Sequence, residues 1–290
     1  MDTLKMDAPP MGDPEIAALP MDARFRALHR QPRPLVLTNA WDAGSARLVA
    51  SQGAAAIATT SAGVAWSLGY RDGDLLPLDE HVACVRRIRR VIDVPLSVDI
   101  ESGYSDDPAA VGAAVARFVD AGAVGINLQD GSAPPALLCR KIAAARAAAL
   151  GAGVDLYINI RCDVFARQLA PAGARVGETL QRARLYREAG ADGLFPLAVT
   201  DPAEIAALAA GTDLLLNVIA WPGLPPVAQL AALGVRRVST GSWLPQAMWA
   251  HAARLAREFG THGGSQALVD EAEAYGTVNA LLPAPDQAGL

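Results

Sequence analysis

The sequence predicts an α/β protein with the architecture of a (β/α)8 TIM barrel. Short apolar runs alternate with amphipathic stretches from about residue 35 to residue 245, and polar residues follow most of the apolar runs. The apolar runs are nearly continuous, as expected for parallel strands that are buried on both faces. The predicted strands are 35–40, 55–60, 95–100, 124–129, 155–160, 192–197, 214–218 and 236–240.

Helical patterns lie between these strands. Residues 107–122 open with Asp-Pro and close on glycine, which is typical of a helix with defined ends. Strands and helices joined by short connections predict the barrel. A doubly wound sheet is the alternative, but it usually has a Gly-rich loop after its first strand. This chain has NAWDAGSA there, without GxGxxG.

The 290 residues are predicted to form one barrel with two flanking segments. An apolar patch at near-helical spacing follows the last strand, and it contains Trp243, Leu244, Met248 and Trp249. Because so much aromatic surface is costly to leave in water, the patch favours an oligomer. The predicted segments are an N-terminal tail (1–24), the barrel (25–245) and C-terminal helices that pack on the barrel or on a partner subunit (246–290).

The composition argues against several classes of partner. The net charge is −5, so no basic field is available to attract nucleic acid or an anionic membrane. No apolar run approaches the roughly 20 residues of a membrane span, and the N-terminus has no signal pattern. The three cysteines are scattered, without CxxC spacing, and we expect a reduced, cytoplasmic setting.

Basic residues restrict the chemistry further. The chain has only two lysines among its 25 lysines and arginines. Lys5 lies in the tail, and Lys141 lies in an alanine-rich helical stretch where we expect it at the surface. A Schiff-base lysine at a strand end is therefore nearly excluded. The four histidines show no metal-ligand spacing.

An acidic pair follows the third predicted strand, in the segment VDIESGY (98–104). The period of a strand places Asp99 and Glu101 on one face. Like charges this close raise each other's pKa values and require a divalent cation or an arginine nearby. Because active groups of TIM barrels lie at the carboxyl ends of strands, the pair marks the expected site.

Three segments together resemble the isocitrate lyase/phosphoenolpyruvate mutase superfamily: TTSAGVAWSLGYRD (59–72), VDIESGY (98–104) and INIRCDVFA (158–166), with NAWDAGSARLV (39–49) in front. The first of these is expected to be a strand, a turn of small residues and an aspartate. The resemblance covers about residues 30–245 and is closest to the PEP mutase-like members. It implies a barrel whose last helix is exchanged within a homodimer or homotetramer. It also implies cleavage or formation of a C–C or P–C bond next to a 2-oxo acid, through an enolate held on Mg²⁺.

The resemblance assigns metal-site roles to four residues. Asp99 and Glu101 resemble the Mg²⁺ ligands, with Mn²⁺ as an alternative ion, although the second acid is commonly aspartate. Gln129 stands where the family usually has an acid. Asp72 resembles the acid that holds a metal-bound water, and it is placed with the catalytic residues.

Further roles concern the small carboxylate substrate. The turn of Ser61, Ala62 and Gly63 resembles the backbone N–H groups that receive its carboxylate. Arg161 resembles the catalytic arginine that pairs with its anionic side. The other predicted positions are Trp41 and Asp42, which form a wall of the site, and Asn217 after the seventh strand, which is a substrate contact.

One departure from the family weakens the prediction of catalysis. Active members carry a loop after strand four with Lys, Cys and His, or Lys and Asn, whereas this chain has DGSAPP (130–135). Asp130 is expected to point to the opposite face of the strand. Cys162 and Tyr104 are the remaining candidates for proton transfer, although packing is the expected role of each.

Three hypotheses follow. The first is a Mg²⁺-dependent lyase that cleaves a C–C bond of a small 2-oxo or 2-hydroxy carboxylate. The second is a mutase or hydrolase acting on the P–C bond of a phosphonate. The third is a metabolite-binding barrel that has lost catalysis.

Overall fold

The computed structural model describes residues 13–282 and confirms the barrel. Nine parallel strands follow the order β1-β9-β8-β7-β6-β5-β4-β3-β2. The strands are β1 (Leu35–Leu37), β2 (Asn39–Ala40), β3 (Ile57–Thr59), β4 (Leu96–Asp99), β5 (Gly125–Gln129), β6 (Tyr157–Cys162), β7 (Gly193–Pro196), β8 (Leu215–Ile219) and β9 (Arg237–Ser239).

The sheet nearly closes on itself because β1 and β2 are consecutive pieces of one chain segment. Leu35 is in register with Arg237 of β9, and Ala40 is in register with Thr59 of β3. Only Thr38 separates the two pieces. Together they occupy the place of the first strand in an eight-stranded barrel.

Helices surround the strands of the barrel. The buried apolar side chains pack mainly between the strands and this outer layer. The helices are α1 (Pro14–Ala17), α2 (Met21–His29), α3 (Ala43–Ser51), α4 (Ser61–Ser67), α5 (Leu78–Arg89), α6 (Pro108–Asp120), α7 (Pro135–Gly151), α8 (Arg175–Glu188), α9 (Pro202–Ala210), α10 (Val227–Ala232), α11 (Trp243–His262), α12 (Gln266–Asp270) and α13 (Tyr275–Leu281), with a 3-10 turn at Ala172–Ala174. None of these helices is long and apolar enough to cross a membrane.

The N-terminal and C-terminal segments contain regular structure. Residues 1–12 of the predicted tail and residues 283–290 lie outside the described residues, whereas α1 and the start of α2 fall within the predicted tail. The long helix α11 begins before the predicted boundary at residue 245 and continues far past it. Exchange of a helix between subunits stays a prediction.

Helix α2 closes the amino-terminal end of the barrel. Phe25 is fully buried, and a Cβ on Gly125 would come within 2.5 Å of its ring. The imidazole of His29 stacks on Tyr157 with ring centroids 4.1 Å apart, and its Nδ1 donates to the carbonyl of Phe25. Burial, helped by the charge of Arg237, lowers the pKa of His29 to about 3.

This histidine should make the protein sensitive to acid. Its pKa is near 6.5 in an unfolded chain, so the folded state binds fewer protons between pH 6.5 and 3, and stability is lost as pH falls through that window. Between pH 6.5 and 4.5, His29→Gln should therefore lose about 2 kcal/mol less unfolding free energy than the parent. Denaturant titrations at the two pH values measure this, with His262→Gln, an exposed position, as the control. An unchanged pH slope for His29→Gln would contradict the assignment.

Candidate active site

The acidic pair lies at the carboxyl end of the barrel. Asp99 is the last residue of β4, and its backbone N–H donates to Oγ1 of Thr59 at 2.9 Å. Its Oδ1 accepts from the backbone N–H of Glu101 at 3.2 Å. The backbone N–H of Gln129, the last residue of β5, donates to the carbonyl of Glu101 at 2.8 Å. The three predicted metal ligands therefore belong to adjacent segments.

Glu101 is held in an unusual conformation. Its φ of 52° lies in the left-handed region, which costs energy for a residue with a side chain. The side chain is buried, and Oε2 accepts from the backbone N–H of Asp74 at 2.5 Å. The carboxylate is thus fixed beside Asp99 instead of extending into solvent.

Burial and mutual repulsion make ionisation of this pair costly. Burial raises the pKa of Asp99, and the charge of Asp72 adds to the rise, while Arg161 and the backbone of Ser61 oppose it. Burial likewise raises the pKa of Glu101 to about 7, with Asp72 adding to the rise. Asp72 is exposed, and its negative charge raises the pKa values of Asp99 and Glu101 through electrostatic repulsion.

No cationic side chain compensates the pair directly. Across residues 13–282, no ion pair includes Asp99 or Glu101. Arg161 is the guanidinium whose charge lowers the pKa of Asp99, but it is engaged elsewhere. The partly buried Asp99 and the buried Glu101, neither paired with a cationic side chain, fit the oxygen ligands that Mg²⁺ prefers.

The donor set is small. Within the described part of the chain, no group of three or more His, Cys, Asp or Glu side chains converges as a metal cluster. A cation would thus take Asp99 and Glu101 as its carboxylate ligands, with Gln129 nearby. Mg²⁺ commonly keeps several waters and binds through one or two carboxylates, so this set is sufficient.

Arg161 is held in place by a buried carboxylate. Its Nε donates to Oδ1 of Asp163 at 2.6 Å and its Nη2 donates to Oδ2 at 3.1 Å. Arg167 also donates to Asp163, at 2.9 Å. A guanidinium has five N–H donors, so two are used and three, on Nη1 and Nη2, are left for a ligand.

Asp130 points away from the site, as its position in the strand predicts. Its Oδ2 accepts from Arg182 at 2.9 Å and from the hydroxyl of Tyr186 at 2.8 Å, and its Oδ1 accepts from the backbone of Asp163. The adjacent thiol of Cys162 is buried, and burial with the charge of Asp130 raises its pKa well above the usual value. Cys162 therefore stays protonated and acts as packing.

The predicted turn after the second strand is a short helix instead. Ser61, Ala62 and Gly63 form the first turn of α4, and all three are buried. The N–H groups of a first helical turn have no acceptor within the helix, so they can receive an anion. Small residues of this type allow either a turn or a helix, and the contact between Gly63 and Trp41 selects the close packing seen here.

Trp41 and Asp42 lie beside this helix. Trp41 is buried, and its Cβ lies 2.8 Å from the position that a Cβ on Gly63 would take. Asp42 is the N-cap of α3, where Oδ1 accepts from the backbone of Ser45 at 2.7 Å in a capping box. The structure thus gives Asp42 a structural role in addition to the predicted one.

Asn217 lies in the barrel interior, fully buried. Its Oδ1 accepts from Asn159 at 2.9 Å, and its Nδ2 contacts backbone carbonyls and the hydroxyl of Ser239. Asn159 also donates to Asn127, which accepts from Arg237 at 3.2 Å. Both amide hydrogens of Asn217 have acceptors within the protein, and this leaves no donor for a ligand.

Sequence reasoning missed two supporting residues. Asp74 accepts from the backbone of Ser102, in the segment that carries Glu101. The expectation that Lys141 lies at the surface is wrong, since the structure buries it. The alanine-rich helix around Lys141 hides its burial because alanine gives no clear apolar face. The rarity of lysine in this arginine-rich chain was the available signal.

The fold and the site define a TIM-barrel protein with paired acids and an arginine at the carboxyl edge of its strands. The model of the phosphoenolpyruvate phosphomutase family matches residues 25–260. The chain belongs to this family, within the isocitrate lyase/PEP mutase superfamily, which confirms the resemblance found in the sequence.

Individual relatives agree with this assignment. An uncharacterised protein of Mycobacterium tuberculosis is 40% identical over 75% of this chain and 81% of its own length. The 2-methylisocitrate lyase of Escherichia coli K12 is 32% identical over 61% of this chain and 62% of its own length. A provisionally assigned phosphonomutase from Burkholderia cenocepacia J2315 is 44% identical, with a TM-score of 0.77 over 81% of this chain and 99% of that structure.

A more distant structure shares the fold. Phosphonopyruvate hydrolase, solved as a complex with oxalate and Mg²⁺, is 23% identical, with a TM-score of 0.81 over 91% of this chain and 95% of that structure. The superfamily thus contains lyases, mutases and hydrolases that share this barrel.

Crowding at Gly63 gives a prediction about the site. A Cβ there would lie 2.8 Å from both Thr60 Cγ2 and Trp41 Cβ, so Gly63→Ala should lower the unfolding free energy by about 1–3 kcal/mol. Gly177→Ala, in helix α8 with nothing within 4 Å, should instead raise it by up to about 1 kcal/mol. Denaturant unfolding measures both, and equal effects of the two substitutions would show that the packing around Gly63 is loose.

Proposed function

We propose that the protein is a Mg²⁺-dependent enzyme that cleaves a C–C bond of a small 2-oxo or 2-hydroxy carboxylate through an enolate. One observation supports the proposal: the partly buried Asp99 and the buried Glu101 lie close together at the carboxyl edge of the barrel, with raised pKa values and no cationic side chain paired to them. A bound divalent cation removes this unfavourable electrostatic arrangement.

The surrounding residues can bind and orient such a substrate. We assign the backbone N–H groups of Ser61, Ala62 and Gly63 to one substrate carboxylate. The N–H of Ser61 also bonds to Asp99 and so links this helix to the acidic pair. The three free N–H donors of Arg161 face the developing negative charge, while Asp163 fixes the guanidinium plane. Preorganised donors of this kind stabilise charge in the transition state more than water can.

The remaining predicted residues shape the metal side of the site. Mg²⁺, or Mn²⁺ in its place, would polarise the 2-oxo or 2-hydroxy oxygen of the substrate. Gln129 contributes a neutral amide where an acid would add charge, and Asp72 orders water at the exposed edge. Trp41 closes the wall beside α4. Asn217 is not part of this proposal, because its amide groups are used in the barrel interior.

A second candidate function is ligand binding without turnover. Only residues 130–134 connect β5 to α7, and they include no Lys, Cys or His to transfer a proton. Tyr104 does not supply the group, because burial raises its pKa above the usual value and its hydroxyl is 2.6 Å from Nδ1 of His81. This observation favours a metabolite-binding barrel over a phosphonate mutase or hydrolase, which also needs groups in that segment.

Mg²⁺ binding tests whether Asp99 and Glu101 form a metal site. A Mg²⁺ concentration of about 100 times Kd should stabilise the parent by about 2.7 kcal/mol. Asp99→Asn should abolish this shift, and without Mg²⁺ it should be at least as stable as the parent because it removes a buried charge. Thermal unfolding with and without Mg²⁺ measures both effects.

Asp93→Asn is the matched control, because Asp93 is exposed in the loop that precedes the same strand, away from its carboxyl end. It should keep the full Mg²⁺ response. If Asp99→Asn responded to Mg²⁺ like the parent, the metal site would be misplaced.

A substrate panel tests the reaction. With 2-methylisocitrate, oxaloacetate, related 2-hydroxy acids and phosphonopyruvate, we expect Mg²⁺-dependent release of a 2-oxo acid from a C–C substrate. Arg161→Lys should lower kcat/KM at least about 100-fold, since lysine lacks the planar fork. Phosphate release from phosphonopyruvate would favour the P–C alternative. Oxalate binding without turnover of any panel member would favour the binding barrel.

We also propose that the protein is a homodimer or homotetramer in which α11 packs against a partner subunit. In this 20-residue helix only Pro245 is buried, while Met248 is 45% exposed and Phe259 is 49% exposed. Apolar surface of this extent marks interfaces.

Charge on this face should break the assembly. Met248→Glu combined with Phe259→Glu should yield monomers in sedimentation velocity. Gln181→Glu, on the exposed face of α8, is the control and should give an assembly of the same mass as the parent. A monomeric parent would refute the proposed oligomer.

A further inference from the structure

Lys141 is buried, although lysine is rarely buried unless its ammonium group is paired. Its side chain is 4% exposed. The ammonium donates to the carbonyl of Ser102 at 3.0 Å and to Oδ1 of Asp106 at 3.3 Å. Because desolvating an ammonium is costly, these bonds must compensate for its burial. Helix α7 thus places a fixed positive donor directly under the segment that carries Glu101.

This segment has a strained backbone. Glu101, Gly103 and Tyr104 have φ values of 52°, 89° and 62°. Glutamate and tyrosine adopt the left-handed region only at an energetic cost, and such conformations persist where surrounding groups enforce them. The conformation of residues 101–104 therefore depends on external bonds.

Three side chains from other parts of the chain supply these bonds. Asp74 accepts from the backbone N–H of Ser102 at 3.1 Å, and Lys141 donates to the carbonyl of the same residue. His81, buried in α5, bonds to the hydroxyl of Tyr104. Both backbone groups of Ser102 are thus fixed, from opposite sides.

We propose that Lys141 is a positioning residue that holds residues 101–104 in the conformation that presents Glu101 to a divalent cation. This inference rests on the proposed function, because it assigns Lys141 a role in the same metal site. Lys141 does not touch the ion; it acts through the carbonyl of Ser102.

The sign of the effect on metal affinity separates positioning from simple electrostatics. Removing a nearby positive charge should by Coulomb's law tighten the binding of Mg²⁺. Losing the fixed conformation of Glu101 should weaken it. A neutral variant that binds Mg²⁺ more weakly therefore identifies positioning as the dominant role.

The test uses Lys141→Met in the full chain, since methionine keeps most of the buried volume and removes the donor. Calorimetric titration should give a Kd for Mg²⁺ about tenfold weaker than that of the parent. Amide hydrogen exchange should accelerate in residues 101–104 and stay unchanged in the strands of the barrel. Lys141→Arg, which keeps charge and donors, should recover part of the affinity and also serves if the methionine variant fails to fold.

Arg140→Met is the matched control, because Arg140 is the exposed neighbour on the same helix. It should change the Kd by less than about twofold. Unchanged or tighter Mg²⁺ binding by Lys141→Met, with unchanged exchange in residues 101–104, would overturn the proposal.

A parent that binds no Mg²⁺ would refute the proposed function separately. Hydrogen exchange would then still decide the role of Lys141. Faster exchange of residues 101–104 in Lys141→Met would support the proposal that Lys141 fixes the conformation of this segment. Unchanged exchange would overturn that proposal.

Discussion

The site depends on two neighbouring carboxylates, the partly buried Asp99 and the buried Glu101, that have no cationic side chain paired with them. Asp99 is fixed by the register of β4, and Glu101 is fixed by a left-handed backbone and a bond from Asp74. The nearby guanidinium of Arg161, which could neutralise them, is paired with Asp163. The fold thus brings together two carboxylates whose raised pKa values make ionisation costly, and the proposed cation would stabilise their charged forms.

A network of polar side chains in the barrel interior links the strands that carry the acidic pair to their neighbours. TIM barrels usually fill their interior with branched apolar side chains, whereas this one has a buried network of Asn127, Asn159, Asn217 and Arg237. Burial lowers the pKa of Arg237 to about 10, and the negative charge of Asp99 opposes this fall. The asparagines fix one another, so the strands that carry the site have little freedom to shift. The positive charge of Arg237 interacts favourably, at a distance, with the negative charge of Asp99.

The fold could be predicted from the sequence because the strands are continuous apolar runs separated by helices with clear ends. The acidic pair was also visible in the sequence, as two acids one residue apart at the end of an apolar run. The expected reason was incomplete, because β4 ends at Asp99 and a left-handed turn, not the period of a strand, places Glu101. Residues 61–63 were harder, because small residues form a turn or a helix equally well, and the choice depends on contacts with Trp41. Other features could not be predicted from a local sequence pattern. The burial of Lys141 and the internal position of Asn217 depend on contacts between segments that are far apart in sequence. The pairing of Arg161 with Asp163 depends on how the chain turns after β6.

Anomalous diffraction from crystals soaked in Mn²⁺ would locate a divalent cation bound by Asp99 and Glu101. We expect an anomalous peak at the carboxyl edge of the barrel, within about 2.0–2.3 Å of an oxygen of each carboxylate. A map without a peak there, in which these oxygens bond only to protein donors or to a reoriented Arg161, would contradict the proposed metal site.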